Sequence, residues 1–397
     1  MSSIASLGPT PQPAPAAGSL VAVYRHRLIG ASETYIRTQG EALSRYRSHY
    51  VGMRRDPKGL ELPGERVFVL NGGGAVGRAR ELAYLELGVS PRLVSAVRPL
   101  RPALLHAHLG VDGAAALPLA RQLAVPLVVT FHGFDATASD QAARERGRRY
   151  RVYLRRREAL KRETRLFIAV SQFTRTRLLD RGFPEKKIVL HYVGVDTELF
   201  RPDPAVAREP VVLFVGRLIE KKGVRHLIAA MREVQGRLPE AELVIAGEGE
   251  LRRELERQAR ELGVRARFLG VIQPGEVRAW MNRARALCVP SVEAANGDAE
   301  GLPIVALEAM AMALPIVGSV SAGIPEAVRH GTNGFLAAEG DDRGLASYLH
   351  ALLTNTPLWD RMSRATLEDV RERFDLRTQT AALEELYDAV RRPRSGL

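Results

Sequence analysis

The chain has 397 residues, 46% of them hydrophobic and 26% charged, which excludes a disordered protein and suffices for two domains, each with its own core. Its one cysteine, Cys288, excludes an intramolecular disulfide and a cysteine-built zinc site, and suits a reducing, cytoplasmic setting. The net charge of +13 is uneven: residues 1–200 carry 31 Lys and Arg against 17 Asp and Glu, and the remainder 27 against 28.

Residues 1–18 are proline-rich without a basic start, and read as a disordered tail and not as a secretory leader. A strand at LVAVY (20–24) follows, then the loop RLIGASETYI. The next strand, RVFVL (66–70), runs into Gly72, Gly74 and Gly77, a G-x-G-x-x-G ahead of a helical pattern. A dinucleotide site here needs a carboxylate about twenty residues on to hold ribose hydroxyls. No Asp or Glu lies between Glu86 and Asp112, so an NAD-dependent oxidoreductase stays only as an alternative and a flexible glycine loop is the plainer reading. ALLHAH (103–108) puts His106 and His108 on one face near a strand's carboxyl end, where either can position a ligand or be a satisfied structural group. PLVVTF (126–131) ends at His132 beside Gly133.

Residues 144–165 hold 11 Lys and Arg against 3 Glu, with Tyr150, Val152, Tyr153, Leu154 and Leu160 interleaved. This is the pattern of a helix that packs on one side and presents cations on the other. The cations are either solvated surface or a site for an anionic membrane or an acidic substrate; no nucleic-acid recognition motif accompanies them. LFIAV (166–170) and IVLHYV (188–193) complete the first set of strands, and 194–210, broken by prolines, is a linker. A second set follows at VVLFVG (211–216), ELVIAG (242–247), ARFLG (266–270), RALCVP (285–290) and PIVGSV (315–320), then helical patterns to the end. The alternation predicts an α/β protein with two parallel-sheet domains facing across a cleft. The longest apolar run, VALEAMAMALPIVGSV, is broken by Glu308 and falls short of the ~18–20 residues of a membrane span.

In such sheets ligands bind beyond the carboxyl ends of strands. One such loop has Gly216, which permits close backbone approach, then Arg217 and Lys222 before Gly223 and a helix; two cations at this turn suit a diphosphate. In NGDAEGLPIVALEAMA, Glu300 and Glu308 are separated by seven residues, and Pro303 suits a helix start. Glu300 then lies in the loop leading into the helix, and amides such as that of Ile304 are free to meet phosphate. Glu308 sits among apolar neighbours, where a carboxylate is expected to hold something. Asp298 and Glu300 form a D-x-E, but there is no clear metal cluster.

The segments FVGRLIEKKG, IAGEGE, EGLPIVALEAMA and GIPEAVRHGTNGFLA resemble the retaining glycosyltransferases of sequence family four, which have the GT-B fold, and the resemblance covers nearly the whole chain after the tail. NGDAEGLP, HAHLGVDGAAALPLA and VTFHGFD are most similar to the subgroup that builds bacterial exopolysaccharides and envelope glycans. The resemblance implies that Arg217 and Lys222 bind the donor diphosphate, Glu308 the ribose and Glu300 the sugar hydroxyls. Backbone at Val271 and Ile272 would meet the base, Gly247 and Gly249 would line the nucleotide cleft, Gly30 would lie under the donor phosphate, and His132 near the reacting sugar. It further implies a nucleotide sugar donor of UDP or GDP type, no divalent metal or other cofactor, and an acceptor bound by the N-terminal domain. With the basic first half, the expected acceptor is lipid-linked and met at the inner membrane face; a soluble small-molecule acceptor and an inactive membrane-surface scaffold are the alternatives. The expected division is a Rossmann-like domain over 19–200, a second over 201–374, and a C-terminal helix in 375–397 that packs back on the first.

Overall fold

The computed structural model describes residues 18–30, 33–57 and 59–392, so all of the expected tail except Gly18 lies outside the described residues. Strands β1 (Ser19–Arg27), β2 (Tyr46–Arg54), β3 (Val67–Val69), β4 (Leu104–His108), β5 (Leu127–Phe131), β6 (Leu166–Ala169) and β7 (Ile188–Leu190) form one sheet in the order β3-β2-β1-β4-β5-β6-β7. Strands β8 (Val211–Val215), β9 (Glu242–Ala246), β10 (Ala266–Gly270), β11 (Ala286–Val289), β12 (Ile316–Ser319) and β13 (Gly334–Ala337) form the other, in the order β10-β9-β8-β11-β12-β13. Every pairing is parallel. Helices cover both faces, so the strands are buried on both sides and are apolar at nearly every position.

β2 and β13 fall outside the apolar runs. β2 reads YRSHYVGMR yet buries Ser48 and His49. Its polar atoms are partly satisfied locally, since Ser48 Oγ donates to the Gly40 carbonyl at 2.8 Å and Tyr50 OH to Glu41 Oε1 at 2.7 Å. β13 is a short edge strand of four residues.

Strand order reverses between β1 and β4 in the first sheet and between β8 and β11 in the second. These are the points where open sheets leave a crevice for ligands. The G-x-G-x-x-G follows β3, the outermost strand of its sheet, and so lies away from that crevice. Side chains added at Gly72, Gly73 or Gly74 would meet open space, whereas Gly77 is pressed against the Asn71 side chain. Asn71 Nδ2 donates to Glu81 Oε2 at 2.6 Å, so the loop packs on its own helix, Gly74–Leu87, and the oxidoreductase alternative loses its structural setting.

The helix Leu376–Arg391 lies on the first sheet, with Leu383, Tyr387 and Val390 in one core with Val21, Val23, Tyr50 and Val128. Glu384 accepts from the backbone amides of Ser44 at 2.8 Å and Arg45 at 2.7 Å. The chain passes between the two sheets twice, at 193–196 and 374–376, and the two passages are bonded to each other: Val195 N donates to Phe374 O, and Leu376 N to Val195 O.

The basic segment is broken at Gly147 (φ +110) into the helices Asp140–Glu145 and Arg148–Glu163. Arg148, Arg151, Arg155 and Arg162 are exposed on the second helix, opposite the buried Val152, Tyr153 and Leu160, while three other arginines are tied inward. Arg149 donates to the fully buried Asp112 at 2.6 Å, Arg156 to the Ala114 and Glu86 carbonyls, and Arg157 to both oxygens of Asp140.

Tyr387→Ala would leave a cavity under the terminal helix and is expected to cost about 3–5 kcal/mol, the scale for truncating a buried aromatic. Urea denaturation followed by tryptophan-independent circular dichroism checks this. An unchanged midpoint would mean that the helix is not part of the first domain's core.

Candidate functional site

The turn after β8 is sewn to the segment after β11. Gly223 adopts φ +63, and a side chain there would collide with the Pro290 carbonyl; Val292 N donates to Lys221 O at 2.9 Å. This docking sets Lys222 Nζ 2.9 Å from Glu300 Oε1. Arg217 is exposed and makes no ion pair among the described residues. The loop after β9 crosses the same turn: Gly247, at φ +146, is so close to Gly216 that any side chain would strike its carbonyl, and Gly249 is as close to that of Leu218. Gly216, Gly247 and Gly249 therefore form one backbone wall. Val271, exposed, and Ile272, half-buried, lie beyond it after the edge strand β10.

The helix after this loop runs Ile304–Ala311, with Pro303 as its N-cap and no side chain capping it. Its first amides, Ile304 included, thus point unblocked toward the cleft end of the helix. Glu308 is half-buried and forms no hydrogen bond or ion pair among the described residues; burial pushes its carboxyl from the ordinary 4.5 to about 7. Glu300 is also buried, which alone would raise it, but Lys222, Lys221 and Arg217 outweigh burial and hold it at about 2. Its Oε1 lies 2.9 Å from the Lys222 ammonium and 3.7 Å from that of Lys221.

From the first domain, His132 stands at the end of β5. Its Nε2 lies 3.1 Å from His108 Nδ1 and its ring 4.9 Å from that of Tyr35. Burial, with Arg25 and His106, lowers it to about 3, so the imidazole is neutral. Asp135, missed in the sequence, fixes this corner by accepting from the amides of Gly110 at 2.7 Å, His132 at 3.2 Å and Gly133 at 3.1 Å. The same corner meets the Glu300 loop: Ala299 N donates to Thr137 Oγ1 at 3.2 Å and Ser139 N to Asn296 O at 3.1 Å. His106 is a structural group, 2.7 Å from both Tyr387 OH and Thr130 Oγ1, and His108 is buried behind His132. Gly30 lies after β1, but its amide already donates to Glu33 Oε2 at 3.0 Å, and Arg25 holds the other oxygen of Glu33. A carboxylate thus occupies the amide where the resemblance puts a phosphate.

Arg217, Lys222, Glu300, Glu308 and Ile304 are gathered at the reversal point of the second sheet, with His132 opposite; Gly30 is contributed by the first domain. Asp298 is not a free carboxylate: Lys221 Nζ pairs with its Oδ1 at 2.9 Å. Among the described residues no cluster of three or more His, Cys, Asp or Glu is placed to hold a metal ion. The Cys288 thiol is buried and pushed up, inert as a nucleophile.

Two parallel-sheet Rossmann-like domains joined in this way define the GT-B class of glycosyltransferase fold. Residues 32–199 match the family model described as Glycosyltransferase Family 4, and residues 195–369 that described as Glycosyl transferases group 1. The chain belongs to glycosyltransferase family 4. It is 31% identical to the glycogen synthase of Mycobacterium tuberculosis (strain H37Rv) over 78% of this chain and 74% of that one. It is 33% identical to the putative colanic acid biosynthesis glycosyltransferase WcaL of Escherichia coli (strain K12), a match over 64% of this chain that spans only 62% of that relative's length. The crystal structure of Anabaena HepE in complex with UDP and glucose has the same fold, with a TM-score of 0.72 at 21% identity, covering 94% of this chain and all (100%) of that one.

Glu308 binds a proton more tightly folded than unfolded, so its burial costs nothing below the unfolded value of 4.5, and the cost grows until pH passes about 7. Glu308→Gln should therefore match the parent's stability at pH 4.5 and exceed it at pH 8, by up to about 3 kcal/mol at ~1.4 kcal/mol per pKa unit. Thermal melts across that range check this; a constant difference would mean that Glu308 is solvated.

Proposed function

We propose that the chain transfers a sugar from a nucleoside diphosphate sugar to an acceptor hydroxyl with retention of anomeric configuration, as a hexosyltransferase of exopolysaccharide or envelope-glycan synthesis. The observation that carries this reading is the meeting of Arg217, Lys222, Glu300 and an uncapped helix start at the second sheet's reversal point, facing a neutral His132. As the glycosidic bond breaks, negative charge grows on the leaving diphosphate. Arg217, Lys222 and the amides from Ile304 stabilise that charge more in the transition state than in the ground state.

Glu308 accepts from the ribose hydroxyls and Glu300 from the sugar, while backbone beside Gly247, Gly249, Val271 and Ile272 frames the nucleoside. His132, uncharged, offers a hydrogen bond to the sugar from the other domain. A phosphate oxygen of the leaving group takes the acceptor proton on the face it vacates, so no protein base is needed there. The reaction uses no divalent metal; with Asp298 paired to Lys221, the D-x-E has one carboxylate already committed to a protein cation.

A lipid-linked acceptor at an anionic membrane face is favoured by a surface that the sequence pattern hid. The helix Gly74–Leu87 leaves Val76 63% and Leu87 75% exposed, with Leu82 and Val89 also open. Arg155 and Arg148 border it through Glu86. Exposed apolar groups beside cations suit the headgroup boundary.

Screening UDP, GDP and ADP sugars by calorimetry, then following transfer and product configuration by NMR, tests the donor reading. Arg217→Ala or Lys222→Ala should lower turnover by ~100-fold or more with little loss of stability. Activity should persist in EDTA. Near-normal turnover in either folded variant, or metal-reversible loss, would remove the site assignment.

Flotation with anionic and neutral vesicles tests the acceptor reading. Binding should favour anionic lipid, fall with salt over a Debye length of roughly 8 Å, and weaken in Val76→Ser/Leu87→Ser. Equal recovery with both lipids, or an unaffected double variant, would favour a soluble acceptor.

A further inference from the structure

Lys222 has two claims on it: it is paired with Glu300, and in the proposed reaction it must serve the diphosphate. Beside it, Lys221 is nearly inaccessible, at 7% exposure, and its ammonium is held from three sides. It lies 2.9 Å from Asp298 Oδ1, 3.4 Å from the Ala299 carbonyl and 3.7 Å from Glu300 Oε1. Asp298 is itself fixed, its amide donating to Asn296 Oδ1 at 2.9 Å and its carbonyl accepting from Ala294 N at 3.0 Å. We propose that Lys221, anchored by Asp298, is the positioning residue of the donor-sugar site, the cation that stays on Glu300 when Lys222 turns to the donor diphosphate.

The inference rests on the transferase reading above. A diphosphate arriving at Arg217 and Lys222 competes with Glu300 for both cations, and Glu300 lies too deep for water to replace them. Lys221 cannot follow, because moving it would strand the buried Asp298 without a counter-ion. A Glu300 left alone would take up a proton and turn one acceptor oxygen into a donor, losing its match to a sugar hydroxyl that donates. The charged and titratable groups around Glu300 are Lys221, Lys222 and Arg217 from the β8 turn, Asp298 on its own loop, and the neutral His132 from the facing domain. Of the three cations Lys221 is the least accessible, Lys222 is half-buried and Arg217 is exposed. The second lysine of the pair is thus a ligand of the donor, and the first a fixed support for the carboxylate.

The test compares the parent with Lys221→Met, Lys221→Arg and Asp298→Asn, each first checked for folding by circular dichroism and thermal melting. UDP or GDP, whichever the parent binds, serves as the probe of the diphosphate site, and the matching sugar nucleotide as donor. Lys221→Met should bind the free diphosphate like the parent. It should lose on the order of 10- to 100-fold in kcat/KM for the donor, the scale of a hydrogen bond to a charged group. The acid limb of its pH–rate profile should move up by about one unit or more. Lys221→Arg should restore most of both, and Asp298→Asn, which frees Lys221 to leave with the diphosphate, should lower kcat/KM for the donor while sparing affinity for the free diphosphate.

An active parent whose Lys221→Met variant keeps its pH profile and kcat/KM overturns the inference and leaves the transferase reading standing. So does a variant that loses diphosphate affinity and donor turnover equally with no pH shift, since that is a merely structural loss. Should Lys221→Met not fold, Lys221→Gln decides by the same profile. A parent that binds no nucleoside diphosphate and cleaves no sugar nucleotide overturns the transferase reading, and the role of Lys221 with it.

Discussion

The site is organised around a carboxylate that the fold has taken out of water. Burial of Glu300 opposes its charge, and the protein answers with two adjacent lysines on one turn, one of them balanced by Asp298. Everything nearby follows from bringing those groups within reach. The β8 turn must press against the segment after β11, which requires Gly223 at positive φ. The loop after β9 must cross that turn, which requires Gly247. The glycines of the motif are the geometric condition for the ion pairs, and only indirectly a contact surface for ligand.

The two glutamates of the motif are close in sequence and opposite in setting. Glu300 is held at about 2 by neighbouring cations, and Glu308 is raised to about 7 by burial without a partner. A half-buried carboxylate with no partner among the described residues is a standing cost to the fold, the kind retained where a ligand supplies what the protein withholds. Hydroxyl donors would do so for Glu308. The uncapped start of the same helix repeats the logic with the opposite charge.

Much of this was legible in the sequence because parallel sheets buried on both faces give apolar runs, and the strands so found lie where expected. β2 carries no apolar run because it buries Ser48 and Tyr50 with their hydroxyls bonded locally, and β13 because four residues at an edge carry little pattern. The G-x-G-x-x-G was misleading for a topological reason: only strand order, which pattern does not give, shows that β3 is an edge. In the arginine-rich segment composition does not separate an exposed Arg151 from an Arg156 donating to two carbonyls. Lys221 and Asp135 were missed for a related reason. Each acts on the backbone or charge of a neighbour, and only the doublet KK and the run HGFD hinted at them.

The proposed donor site is built almost wholly by the second domain, yet His132 comes from the first, so the proposed reaction depends on how the halves meet. Where they touch beside the cleft, the bonds are polar: Glu326 caps the helix Gln172–Asp180 through the amides of Gln172 and Phe173 and accepts from Tyr192 OH. Arg177 pairs with Glu293, and backbone bonds join the 137–139 and 296–299 segments. Apolar continuity is concentrated instead around the paired crossings at Val195 and Phe374. Hydrogen bonds at the rim can exchange with water at small net cost, whereas the apolar crossing cannot part without exposing core. The crossings at 193–196 and 374–376 are therefore the part of the domain contact that is costliest to separate, and the polar rim between His132's corner and the Glu300 loop the least costly.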